Sequence, residues 1–285
     1  MSSEGSMLGL EGGRVWVVGA GGGGIGTVVA GKLARAGASV VAIDRDADAL
    51  TPLDEAAGSA RDRIETTVLD AADRVAVEAF GQAEAEAGRW PTGLVHIVGG
   101  LMRDRFGRIV DTSDETLEAV LRLNLRSAWL CSQVAARHLI AAGREASFVH
   151  LASIAALQGM PFGASYAMAK AALLSLARTQ ALEWGPHGLR VNTIAAGTIS
   201  TPRATGSDPE RDRRVLPIGR RGRPEDIAGA ALFLLSDLAA FVTGQVIAVD
   251  GGASIKPSYL GEDGLPVFVE DPVLRARLFG DDAGG

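Results

Sequence analysis

Tyr166 and Lys170 stand four positions apart in the stretch SIAALQGMPFGASYAMAK, residues 153–170. On a helix that spacing puts both side chains on one face, one turn apart. A lysine charge beside a phenol favours the phenolate, so the pair is expected to bring the tyrosine pKa down towards neutrality. Such a tyrosine can exchange a proton with an alcohol or carbonyl oxygen. Ser153 stands upstream, after the apolar run 146–152, and a strand end followed by a loop is where an α/β sheet presents its chemistry. The chain has only two tyrosines, and its lysines are Lys32, Lys170 and Lys256, so chance makes this pairing less readily than in an average chain. Alone, the pair also describes a half-buried aromatic beside a solvated charge. The rest of the chain has to decide.

The apolar run 15–18 leads into Gly19-Ala-Gly-Gly-Gly-Gly-Ile-Gly26 and a helical pattern to Ala36, closed by Gly37. Gly19, Gly21 and Gly24 fit G-x-G-x-x-G, and Gly21, Gly23 and Gly26 fit it in a second register. Glycines let the backbone turn tightly and approach a pyrophosphate, and the helix opened by Gly24, Ile25 and Gly26 offers N–H groups and a positive dipole end. Strand before and helix after are the context this motif needs. A second strand, 39–43, ends in Asp44, about 20 residues past the loop, where a carboxylate meets the adenosine ribose hydroxyls of NAD and repels a 2′-phosphate. No basic residue lies within 19–26, and NAD is expected over NADP although Arg45 follows Asp44. Asp44 can equally cap a helix, and both roles can hold at once.

The third strand, 64–69, ends at Asp70, which either reaches an adenine edge or is an ordinary loop acid. The fourth, 93–98, precedes Gly99-Gly100, which let the backbone pass close to a cofactor; His96 inside it reads as a packed core histidine. One long helix is expected over 115–142, with Asn124 amid Leu121, Leu123 and Leu125, an amide that must find partners unless it faces solvent. A fifth strand, 146–152, leads to Ser153. A sixth, 189–195, leads to Ala196-Gly197-Thr198-Ile199-Ser200-Thr201-Pro202. The polar stretch 203–215, with Gly206, Ser207 and Pro209, reads as a mobile lid. A helix over 224–236 starts at a proline, and a seventh strand, 245–249, closes at Asp250-Gly251-Gly252. Strand and helix alternate with no change of composition. The expected fold is α/β: a single doubly wound domain, a seven-stranded parallel sheet with helices on both faces.

The 285 residues, 47% hydrophobic and 22% charged, describe a soluble globular chain. No uncharged apolar run is long enough to span a bilayer, and the start MSSEGSMLGLEGGR lacks the basic start and apolar core of a signal peptide. Cys131 has no cysteine to pair with, which points to a reducing cytoplasm; it sits in an apolar helical run as a buried thiol. A net charge of −6 argues against nucleic acid as a main partner. There are no repeats and no cluster of metal ligands, and His138, His150 and His187 are scattered singly.

Together these residues resemble the short-chain dehydrogenase/reductase family, over about 8–253. The glycine loop resembles T-G-x-x-x-G-x-G, Ser153 with Tyr166 and Lys170 matches the catalytic serine and Y-x-x-x-K, Asn124 matches the helix asparagine, and 192–197 resembles N-x-x-x-P-G. The resemblance implies a Rossmann domain over 1–253 with a substrate lid at about 201–216, and a tetrad. Tyr166 would be the general acid/base, Ser153 would bond the substrate oxygen, and Lys170 would bind the nicotinamide ribose and lower the tyrosine pKa. Asn124 would hold a water that extends the proton path. Hydride would move between the nicotinamide and a substrate carbon, with Gly197, Ile199 and Thr201 among the cofactor contacts. A homotetramer through the helices carrying Asn124 and Tyr166 is the family expectation.

The chain departs from the family in four places. The usual threonine is replaced by Val18, or the glycine loop carries one extra residue. N-N-A-G reads His96-Ile-Val-Gly99, and P-G reads Ala196-Gly197. Beyond Ala253 an extension, 254–285, carries apolar residues at 267–269 and 274–279, either a loose tail or a flap over a neighbouring subunit or the substrate mouth. The expected activity is NAD(H)-dependent interconversion of a secondary alcohol and a ketone. The substrate would be small and apolar, in a pocket lined by Leu101, Ala155, Met160, Phe162 and Ile199. An NADPH-dependent ketoreductase of 3-oxoacyl chains competes, opposed by Asp44. So does a non-catalytic dinucleotide-sensing protein, whose mark would be a broken tetrad.

Overall fold

Runs such as RVWVV and SVVAID are apolar and buried through their interiors, with polar residues only at the ends, as a strand covered on both faces must be. In the computed structural model, which describes residues 8–204, 208–257 and 272–279, they form a parallel sheet of seven strands: β1 (Arg14–Val18), β2 (Ser39–Asp44), β3 (Ile64–Val68), β4 (Gly93–His96), β5 (Ala146–Ser153), β6 (Leu189–Ala196) and β7 (Val246–Val249), in the order β3-β2-β1-β4-β5-β6-β7. Alternate residues serve two cores. Val15, Val17, Val40, Ala42 and Val149 face helices α1 (Ile25–Arg35) and α8 (Pro224–Leu235), packing on Leu33, Ile227 and Leu234. Trp16, Val18, Leu94, Phe148 and Val191 face the other way, against α5 (Ser127–Ala141) and α6 (Ala164–Trp184). Each fully buried side chain of this size contributes about 1.5–3 kcal/mol.

Between these elements lie α2 (Leu53–Ala57), α3 (Arg74–Glu86) and α4 (Asp114–Leu121). The Asp73 carboxylate caps α3 by accepting from Val75 and Ala76, and the Ser113 hydroxyl caps α4. Later come α7 (Pro209–Val215) and α9 (Pro272–Phe279). The helix α7 falls inside the stretch expected to be a lid; Gly206, Ser207 and the apolar residues 267–269 lie outside the described residues.

Two expectations are corrected. The fourth strand ends at His96 rather than at 98, because the N–H groups of Ile97 and Val98 both turn to the Val18 carbonyl, at 2.8 and 3.2 Å. The single helix over 115–142 is interrupted by a π-helical turn, Arg122–Arg126. Here side chains take up backbone groups: the Ser127 hydroxyl donates to the Leu123 carbonyl at 2.7 Å, and the Asn124 amide donates to the Val120 carbonyl at 3.2 Å. A widened turn of this kind aims a side chain that a regular helix would point elsewhere.

Candidate active site

β1 and β4 are neighbours although β2 and β3 intervene in the chain. At such a reversal the loops leaving the strand ends diverge and leave a crevice. A cavity of about 850 Å³ opens there. Gly19, Gly21, Gly24, Ile25 and Gly26 border it from the loop after β1, Asp44 and Arg45 from β2, Asp70 from beyond β3 and Gly99 from beyond β4. Ser153, Tyr166 and Lys170 form another wall, and Gly197, Ile199 and Thr201 a third. Asn124 stands behind the wall, fully buried.

The glycine loop is braced from within. A Cβ on Gly26 would run into the Gly19 carbonyl oxygen, so only glycine lets α1 sit this close to β1. The Thr27 hydroxyl donates to the Ala20 carbonyl at 2.7 Å and accepts the Gly23 N–H at 3.1 Å. The Gly22 N–H donates to the Ala49 carbonyl at 2.7 Å. The Gly21 N–H donates to Asp44 Oδ2 at 2.9 Å. Helix α1 starts at Gly24 with no side-chain cap and no acid in its first turn, which leaves its orphan N–H groups and dipole facing the cavity. An uncapped helix start beside a floor of glycines fits the diphosphate of a dinucleotide.

Asp44 turns out not to be a helix cap: its second oxygen accepts from the Asp46 N–H at 3.3 Å, and the next helical turn begins only at Asp48. Asp70 accepts from the Ala72 N–H and is paired with Arg122 at 3.0 Å.

On the other wall, β5 delivers Ser153, and Tyr166 arrives in the first turn of α6. Tyr166 packs with Val120 and Ala155 and is 8% exposed. Lys170 is one turn further, its Nζ 5.8 Å from the Tyr166 ring centroid and donating to the Leu151 carbonyl at 2.8 Å. Gly99, with φ +152°, closes the group: a Cβ there would lie 2.6 Å from Asn124 Oδ1 and 2.9 Å from Lys170 Nζ. Asn124 Oδ1 accepts the Gly100 N–H at 2.9 Å, and its amide nitrogen donates to the Gly100 carbonyl at 3.2 Å. The tyrosine pKa expected from the sequence is corrected. Burial pushes the Tyr166 phenol above its ordinary value, with the Ser153 hydroxyl opposing. Burial brings Lys170 down to about 8. In this dry wall lost solvation outweighs the Ser153 hydrogen bond at Tyr166 and by itself lowers Lys170.

At the substrate end Leu101, Ala155, Met160 and Ile199 line the cavity, but Phe162 does not; it is 61% exposed. Met102 and Phe162 both hold positive φ, 42° and 63°, unusual for bulky residues and found flanking a rim of functional sites. Ala196, standing where the resembled N-x-x-x-P-G motif has its proline, continues β6 by pairing with Ser153 and Val249. Gly197 lies against Asp250, where a Cβ would come within 2.6 Å of the Asp250 Cα.

The sequence reading missed Arg203, which borders the cavity, and a polar layer under the tetrad. His96 and His150 are both fully buried, ring centroids 6.1 Å apart. His96 Nε2 bonds Ser127 Oγ at 3.0 Å, and His150 Nε2 bonds Gln180 Oε1 at 2.9 Å. Each Nδ1 has no hydrogen-bond partner. Cys131 is buried as expected, its thiol pushed up to about 12.

Residues 19–254 match the family model described as Enoyl-(Acyl carrier protein) reductase. The chain is 39% identical over 228 residues to the inactive 2-(S)-hydroxypropyl-CoM dehydrogenase 2 of Xanthobacter autotrophicus, covering 76% of this chain and 96% of that one. It is 37% identical over 244 residues to 2-(S)-hydroxypropyl-CoM dehydrogenase 3 of the same organism, covering 81% and 93%. Its fold matches the crystal structure of a gluconate 5-dehydrogenase from Burkholderia cenocepacia J2315 in complex with NADP and tartrate, with a TM-score of 0.78 and 29% identity over 87% of this chain and 97% of that one. No helix among the described residues is long and apolar enough to cross a membrane.

Proposed function

Because the chain belongs to the short-chain dehydrogenase/reductase family of oxidoreductases, we propose that it interconverts a small, apolar secondary alcohol and its ketone with NAD(H), using Tyr166 as general acid/base. The observation that carries this reading is that Ser153, Tyr166 and Lys170 border the same cavity as the glycine loop and the uncapped start of α1. The dinucleotide, when bound, supplies the two-electron hydride chemistry.

The chain's own residues manage the proton and the substrate oxygen. Ser153 holds that oxygen by a hydrogen bond. Tyr166 gives its phenolic proton to the oxygen in reduction and takes it back in oxidation. Lys170 anchors the nicotinamide ribose, and Asn124, held by Gly100 and Val120, positions a water that resupplies the proton. A phenol held protonated by burial is ready to donate, which suits ketone reduction near neutrality.

NAD is read over NADP from Asp44, whose carboxylate stands on the cavity wall at the end of β2. Cytoplasmic residence belongs to the same reading, as does a homotetramer; exposed Trp129 on α5 and Met168 and Leu182 on α6 offer it apolar surface. The domain is read as residues 1–253 and 254–285 as an extension.

Two further readings each have an observation behind them. The family model's acyl-carrier wording favours an NADPH-dependent ketoreductase of 3-oxoacyl chains, and the relative described as inactive favours a dinucleotide-binding protein without turnover. One titration of the purified protein with NADH and with NADPH, followed by turnover of secondary alcohols by wild type and Tyr166→Phe, separates them. The proposal expects preference for NADH, turnover by wild type, and a loss of about 10²- to 10⁴-fold in Tyr166→Phe with NADH affinity kept. NADPH preference selects the ketoreductase. Binding without turnover selects the sensor, and near-normal turnover by Tyr166→Phe refutes its role.

A further inference from the structure

The glycine loop offers fewer free donors than its glycines suggest. The N–H groups of Gly21, Gly22 and Gly23 are already committed to Asp44, Ala49 and Thr27. What remains for an anion is the first turn of α1. Beside the loop the cavity wall carries Asp44, Asp46 and Asp70 with Arg45 among them, while Arg221 is tied to Asp212 and Lys170 to the Leu151 carbonyl. The helix dipole neutralises only part of the charge of a dianionic diphosphate placed there, and the loop contains no cation to add to it.

Arg203 stands where that cation is needed. A Cβ on Gly22 would lie 3.1 Å from Arg203 Nη2 and 3.4 Å from Cζ, so the guanidinium rests over the bare face of Gly22. The residues just before it follow the same path, Pro202 beside Gly23 and Thr201 beside Gly24. Arg203 makes no hydrogen bond or ion pair with any described residue, whereas Arg221 on the same wall is held by Asp212 at 2.6 Å. An unpaired planar fork beside an uncapped helix start is the arrangement that grips phosphate oxygens in pairs.

We propose that Arg203 binds the diphosphate of the dinucleotide and supplies from the segment after β6 the positive charge that the glycine loop lacks. This rests on the dinucleotide reading of the cavity.

The test compares wild type with Arg203→Ala, Arg203→Lys and a control, Arg144→Ala, an exposed arginine between α5 and β5. Dissociation constants for NADH by fluorescence, and for ADP-ribose by competition, are measured at low and high salt. Arg203→Ala is expected to weaken NADH and ADP-ribose alike at low salt, by about 10- to 100-fold, and to flatten the salt dependence. Arg203→Lys recovers part of the loss, and Arg144→Ala changes neither ligand. ADP-ribose has the diphosphate but no nicotinamide, so a shared loss locates the effect. The proposal fails if Arg203→Ala binds both within about twofold of wild type, if the loss is confined to NADH, or if Arg144→Ala loses as much. Wild type binding neither NADH nor NADPH overturns the dinucleotide reading itself, a result distinct from wild-type binding that Arg203→Ala leaves unchanged.

Discussion

Acid should destabilise this fold through His96 and His150 well before its carboxylates titrate. Ser127 Oγ gives its hydrogen to the Leu123 carbonyl, so it accepts from His96 Nε2–H. Gln180 Oε1 accepts from His150 Nε2–H. Both Nδ1 atoms are therefore bare acceptors with no partner, and protonation would bury a charge close to the charge of Lys170. Burial lowers His150 to about 4 and His96 well below its ordinary value. Between about pH 6.5 and 4 the unfolded chain holds protons on these rings that the folded chain refuses, so stability falls as pH falls. Each ring costs about 1.4 kcal/mol per pH unit, which accumulates for His150 to roughly 3 kcal/mol by pH 4. That is a large share of a typical net stability of about 5–15 kcal/mol. Asp212, Asp226 and Asp250 are held below the ordinary carboxylate range, so their contribution is lost only at still lower pH. Urea unfolding followed by tryptophan fluorescence at about pH 7 and about pH 5 should show a loss of roughly 2 kcal/mol from His150 and a further loss in the same direction from His96. His150→Gln, which cannot titrate, should remove the His150 share. An unchanged stability between those two pH values, or the full acid loss persisting in His150→Gln, would refute the reasoning.

Two other perturbations follow from the cavity walls. Gly99→Ala drives a methyl into Asn124 Oδ1 and Lys170 Nζ at positive φ, and should cost about 1–3 kcal/mol in thermal unfolding and reduce turnover more than NADH affinity; wild-type turnover would show that the two side chains have room to move. Asp44→Ala removes the acceptor of the Gly21 N–H and the negative charge beside Arg45, and should shift the NADH-to-NADPH affinity ratio towards NADPH by about tenfold; a constant ratio would leave Asp44 only as a brace of the loop.

What the sequence made legible was local. Fully apolar runs announced strands covered on both faces, and strand–glycine–helix spacing announced the cradle. The four-residue step from Tyr166 to Lys170 put them on one wall. What escaped depends on partners far away in the chain. The π turn at Arg122–Arg126 is held by Gly100 and His96, which no helical periodicity reports. The tyrosine pKa went the opposite way because burial depends on packing against Val120 and Ala155. Phe162 looked like a pocket residue by its apolarity, yet its positive φ sits in a loop whose carbonyl binds the Gly107 N–H and leaves the ring outside. Arg203 reaches Gly22 across the five strands β2 to β6 that separate them in the chain, and nothing in its neighbours Pro202 and Ala204 marks it.

The strand order also sets a timetable for synthesis. β1 is the first strand made, but its second partner is β4, and Val15 pairs with Gly93 about 80 residues later. At roughly 5–20 residues per second a ribosome takes about 4–16 s to deliver that partner. Until then one edge of RVWVV has no neighbour, and the face carrying Trp16 and Val18 waits for α5, which comes later still. Slower growth at lower temperature, or a holdase during expression, should therefore raise soluble yield more than any change to the finished surface.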